Sequence, residues 1–164
     1  MIQKLILVLV STLMISCYSN AQKESNTSDK KFAVHKSDAE WKKILTSDQY
    51  YILRKAGTER PFSSPLNKVY EPGTFHCAAC DTALYESKNK FDSGTGWPSF
   101  DQAVEGNIFL DVDYNIGYAR TELLCNTCGG HLGHRFPDGP RETTGMRHCI
   151  NGDALIFKPK QSTN

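Results

Sequence analysis

The chain has 164 residues, with 19 Lys and Arg against 18 Asp and Glu, for a formal net charge of +1. So even a balance excludes a strong electrostatic pull on nucleic acid or an anionic membrane. Hydrophobic residues at 39% and aromatics at 10% suit one folded domain rather than a disordered chain, and six cysteines are too few for a small disulfide scaffold.

Residues 1–16 read as a secretion signal. Lys4 supplies the positive start, and Leu5 to Ile15 form an apolar run broken only by Ser11 and Thr12. That run is short of the ~20 residues that span a bilayer. Leu13-Met-Ile-Ser-Cys17 resembles a bacterial lipobox, which makes Cys17 the lipidated first residue of the mature protein. Cleavage after Ala21 and an uncleaved anchor are the other readings. Either cleavage places the protein outside the cytoplasm, in the periplasm or cell envelope, and the lipobox reading adds a lipid anchor as its only membrane attachment. Residues 17–36 are polar with no apolar period and are expected to form a flexible tether. The folded domain is expected over 37–160.

Ser37-Asp-Ala-Glu40 and Thr46-Ser-Asp-Gln49 both have capping-box spacing ahead of apolar residues, which predicts two short helices stopping at Gly57. From Gly73 onward the pattern turns to strands. Residues 73–77, 107–112, 115–124 and 154–157 are the candidate strands, punctuated by Gly, Pro and Asp. No long helix fits after residue 60. The fold class is mainly β, antiparallel, with short N-terminal helices.

Two CxxC turns, Cys77-Ala-Ala-Cys80 and Cys125-Asn-Thr-Cys128, each close a strand-like run. A CxxC turn offers two sulfurs to one metal, so two turns complete a closed tetrahedral shell, the arrangement of structural zinc. Disulfides and a thioredoxin-like redox pair are the rivals, although the redox motif opens a helix and neither copy here does. Setting Cys17 and these four aside leaves Cys149. On a strand, Arg147, Cys149 and Asn151 share one face while His148 and Ile150 share the other. A guanidinium beside a thiol favours the reactive thiolate, and the Asn151 amide can donate to a bound oxygen or to backbone. The segment after the second CxxC, His131-Leu-Gly-His134-Arg-Phe136-Pro-Asp138-Gly-Pro140, reads as a His-rich loop able to donate protons near neutral pH. Gly94 and Gly96 bend the segment carrying Trp97 and Phe100, which can form an apolar wall or fill the core.

Together, Gly57-Thr-Glu-Arg-Pro-Phe62, both CxxC turns, Lys90-Phe-Asp-Ser-Gly-Thr-Gly-Trp-Pro-Ser-Phe100, His131-Leu-Gly-His134, Asp138-Gly-Pro140 and Arg147-His-Cys-Ile-Asn151 resemble the B-type peptide methionine sulfoxide reductases over about residues 37–158. The resemblance implies a tent-like domain of two antiparallel β-sheets around one structural Zn2+ held by Cys77, Cys80, Cys125 and Cys128. It implies that Cys149 attacks the sulfoxide sulfur, with His134 as proton donor and Arg147 and Asp138 completing the catalytic set. Trp97 would receive the substrate methyl group, with His131, Phe136 and Asn151 beside it. The R-epimer, within oxidised proteins, is the implied substrate. Many members carry a recycling cysteine where this chain has Thr95. A one-cysteine cycle follows, in which an external thioredoxin-like thiol reduces a sulfenic acid on Cys149. Two readings of other classes stand beside this one: a non-catalytic zinc-clamped β binding module, and a cysteine hydrolase using Cys149, His134 and Asn151. Monomer is the default state.

Overall fold

A computed structural model describes residues 30–161. The signal, the lipobox and most of the expected tether lie outside these residues. Both predicted helices form where the capping boxes placed them. They are α1 (Asp38–Ile44) and α2 (Ser47–Lys55). Ser37 and Thr46 each accept a backbone N–H at the third helical position, and Glu40 and Gln49 return the contact, so orphan amides at each start are satisfied. α2 ends two residues before Gly57, with its C-cap Ala56 in the left-handed conformation.

Among the described residues nine strands follow, all paired antiparallel: β1 (Gly73–Cys77), β2 (Ala83–Glu86), β3 (Lys90–Phe91), β4 (Ser99–Phe100), β5 (Ile108–Asp113), β6 (Arg120–Cys125), β7 (His131–Phe136), β8 (Arg147–Ile150) and β9 (Leu155–Pro159). They make a three-stranded sheet, β2-β1-β9, and a six-stranded sheet, β3-β4-β8-β7-β6-β5. The core lies between them. Phe75 of β1 and Tyr85 of β2 meet Phe100 of β4 at ring separations of 5.0 and 4.3 Å. Leu123, Leu132 and Ile150 fill the same layer, and Trp41, Ile52 and Leu53 of the helices join it. Two antiparallel sheets with short helices are thus the observed architecture, as expected.

Three local expectations change. The candidate strand over 115–124 starts only at Arg120, because Asn115 and Gly117 turn the chain between β5 and β6. The expected His-rich loop is strand β7, central in the large sheet. Packing also begins before Ser37: Phe32 meets Phe109 edge-on at 6.0 Å, and Val34 N–H donates to the Thr127 carbonyl.

Candidate functional site

Side chains directly opposite on antiparallel strands share a face. The register of the large sheet places Asp111, Glu122, His134, Cys149 and Ser99 in one lateral row across β5, β6, β7, β8 and β4. The next residues along three of these strands, Leu123, Ile150 and Phe100, face the core. On β6, β8 and β4 polar side chains therefore alternate with core residues, while β5 buries Asp111 and Asp113 and exposes Leu110 and Val112, and this polar face of the sheet is the candidate site.

A hollow of about 140 Å³ opens on this face, lined by Thr58, Trp97, Arg120, Gly133, His134, Phe136, Cys149 and Asn151. The half-buried Trp97 stands against it rather than in the core, its indole N–H donating to the Glu59 carbonyl at 3.2 Å. Five sequence-predicted residues meet here: Cys149, His134, Trp97, Phe136 and Asn151. Arg147 lies next to them. Its guanidinium stacks over Phe136 at 4.7 Å and grips the Asp138 carboxylate through two bonds of 2.9 Å. This pairing holds Asp138 below its usual range. The Pro140–Gly145 loop closes on itself, Gly145 N–H donating to Pro140 and Gly139 N–H to Gly145, which keeps Asp138 within reach of Arg147. His131 is set back from the hollow, its Nδ1 bonded to Glu122.

These contacts settle one expectation and revise another. The Asn151 amide takes the backbone option: its NH2 donates one N–H to the Leu132 carbonyl, and its oxygen accepts Glu59 N–H. Cys149 is shifted up rather than down, because burial outweighs the nearby Arg147 charge, the Thr95 hydrogen bond and the Arg147 hydrogen bond, which all favour the thiolate. His148 faces away from the site, as the alternation required. It sits 3.1 Å from the Tyr85 hydroxyl, and burial pushes it down to about 4.

Sequence reasoning missed Asp113, Arg120 and Glu59. Asp113 accepts the His134 Nε2–H at 2.7 Å, and Arg120 donates to the same carboxylate oxygen. Burial lowers the His134 pKa, and the Asp113 bond opposes the fall. The Glu59 carboxylate accepts Gly152 N–H at 2.7 Å and Asp153 N–H at 2.9 Å, which fastens the 57–62 segment over the residues that follow β8. The signal for Arg120 and Glu122 was present: two charges spaced by two in an otherwise apolar strand predict a polar face.

The four CxxC cysteines converge at the ends of β1 and β6, one from each sheet. Their sulfurs all lie within 4.8 Å of one another, with 3.7 Å between Cys77 and Cys128 and 3.5 Å between Cys80 and Cys125. Disulfide sulfurs are ~2.05 Å apart, so these are free thiols. Four sulfurs at ~2.3 Å from a tetrahedral ion stand ~3.8 Å apart. The cluster therefore fits a metal ion.

The SelR domain family matches residues 45–159. The chain belongs to that family, the B-type peptide methionine sulfoxide reductases. Among its SelR relatives, the peptide methionine sulfoxide reductase MsrB of Agrobacterium fabrum is 52% identical over 127 residues, covering 77% of this chain and 93% of the relative. The MsrB of Leptospira interrogans is 52% identical over 128 residues, covering 77% and 97%. That of Methanosarcina barkeri is 49% identical over 130 residues, covering 79% and 91%.

Proposed function

We propose that this peptide methionine sulfoxide reductase returns the R-epimer of methionine sulfoxide in proteins to methionine, through Cys149. Family membership supports the reaction, and one observation carries the mechanism. A cysteine and a histidine stand opposite each other on β8 and β7, over a hollow walled by Trp97 and Phe136. A methyl sulfoxide has an apolar methyl beside a single polar oxygen. An aromatic wall and one proton donor fit those two ends.

Cys149 sulfur attacks the sulfoxide sulfur. The S–O bond of the substrate breaks, and oxygen ends bonded to Cys149 as a sulfenic acid. The methionine sulfur gains two electrons, and the cysteine sulfur loses two. His134 Nε2–H is held by Asp113, so Nδ1 is the ring nitrogen that passes a proton to the departing oxygen. The proton lost from the thiol balances it. No second cysteine approaches Cys149 among the described residues, which supports reduction by an external thiol: two equivalents give a disulfide, water and the resting thiol. Cys77, Cys80, Cys125 and Cys128 would hold zinc, which supplies a cross-link between the sheets. The apolar run and Cys17 motif support export and lipid anchoring, and so repair of oxidised envelope proteins.

The test uses pure epimers of dabsylated methionine sulfoxide with dithiothreitol. Wild type should consume only the R form, and Cys149→Ser neither. After a single turnover without reductant, mass spectrometry should find one oxygen on Cys149. Turnover by Cys149→Ser, or an internal disulfide, would overturn the mechanism.

A further inference from the structure

The 57–62 segment borders the hollow through Thr58, and it ends on a residue that neither conformation nor burial accounts for. Ser63 N–H donates to the Arg60 carbonyl at 3.3 Å, and the Ser63 hydroxyl donates to the same oxygen at 2.7 Å. These bonds close a turn with Pro61 in its second place and Phe62 in its third. Pro suits the second place, and a third place of positive φ favours Gly or Asn. Phe62 holds φ at 64°, where a bulky side chain is strained. The other two non-glycine residues of positive φ among those described have local causes. Ala56 caps α2, and Asp81 closes the first CxxC turn onto the Cys77 carbonyl. Phe62 has no such duty, and at 70% exposure it is not a core residue.

The exposed ring is nevertheless held in one place. Phe62 N–H donates to the Gly96 carbonyl at 2.7 Å. A Cβ on Gly96 would stand 2.9 Å from Cδ2 of the Phe62 ring, so the ring lies against the residue that precedes Trp97. The Trp97 indole is bonded in turn to the Glu59 carbonyl. The turn is thus tied to the wall of the hollow from both sides. A second cavity, of about 310 Å³, shares Thr58 with the hollow and is lined also by Arg60 and Ser63 of the turn. A polypeptide whose oxidised side chain enters the hollow keeps its backbone and neighbouring residues on this rim.

We propose that Phe62 is a specificity-determining residue, its ring packing against an apolar side chain adjacent in sequence to the oxidised methionine. A stiff aromatic face fixed before binding loses little freedom on contact. The inference rests on the reading of the hollow as the methionine sulfoxide site, but its test reads binding apart from turnover.

Two peptides are compared, acetyl-Leu-Met-Leu-amide and acetyl-Gly-Met-Gly-amide, each with its methionine as the R-sulfoxide. Isothermal titration calorimetry gives Kd in protein carrying Cys149→Ser, which binds without turnover, and activity is followed in parallel with Cys149 intact. The Leu-flanked peptide should bind roughly tenfold more tightly, as burial of a few methylene groups gives. Phe62→Ala should bring the two Kd values together by weakening the Leu-flanked peptide alone, with kcat unchanged. Phe62→Leu should keep most of the preference. Phe62→Gly should lose it and melt no lower than wild type, because Gly bears no strain at positive φ; it decides the matter should Phe62→Ala fail to fold. A folded Phe62→Ala or Phe62→Gly that keeps the wild-type ratio would overturn the proposal. Equal weakening of both peptides would do the same, since the ring would then only shape the hollow. A Phe62-dependent preference in a protein that reduces neither peptide would uphold the proposal and sink the reductase mechanism alone. Turnover of both peptides with no preference in wild type would sink the role of Phe62 alone.

Discussion

At the scale of single residues, most of the groups that line the hollow were legible and most of their supports were not. Cys149 stood out as the cysteine left after export and metal binding were assigned, and His134 by its neighbourhood. Asp113 ends β5 and Arg120 opens β6, flanking a turn that mostly read as strand, and their partnership with His134 depends on a fold that sequence spacing does not display. Asn151 was visible with two roles open, substrate or backbone, and its bonds go to backbone. Asp113 carries a testable consequence. Its bond opposes the burial that lowers His134. Asp113→Asn should drop the His134 pKa further, moving the alkaline limb of kcat to lower pH. At neutral pH kcat should fall on the order of tenfold or more, within the range of general acid catalysis, with KM much less affected. A pH–rate profile on the R-epimer checks it. An unchanged alkaline limb would mean that Asp113 only fills space.

At the scale of elements, the capping boxes gave the start of both helices to the residue, because capping is local chemistry. β7 was mistaken for a loop for the opposite reason. Its buried face is polar, so the apolar alternation that marks a half-buried strand is missing, and Gly133 and Pro137 imitate loop punctuation. Gly133 has a steric cause. A Cβ there would stand 2.0 Å from the Cys149 carbonyl oxygen, at the seam where β7 and β8 pair. Gly133→Ala should force that seam apart, costing about 1–3 kcal/mol as overpacking does, and should reduce activity by displacing Cys149. Urea denaturation with parallel assays would reveal it, and a variant as stable and active as wild type would show that the seam yields freely.

At the scale of the molecule, the paired CxxC turns announced a clamp, and the sheets show what it clamps. Cys77 and Cys80 belong to the small sheet, Cys125 and Cys128 to the large one. One ion held by the four would therefore join the two layers of a domain of modest core. Elemental mass spectrometry should find one zinc per chain. Cys125→Ser should lose it and lower Tm by well over 10 °C, because structural zinc in small domains is worth on the order of 10 kcal/mol of folding free energy. Full stability without metal would leave the four thiols as packing alone. The antiparallel β class was readable from turn density and strand spacing, while the division into two sheets came from the family resemblance. Sheet order was not, because it is set by contacts distant in sequence.

Cys149 lies mid-sheet, with main chain bonded to strands on either side. A sulfur mounted this way has no swinging arm. It would not travel outward to be restored in the proposed cycle, so an external reductant would bring its own thiol inward, to a sulfur set in a hollow of about 140 Å³.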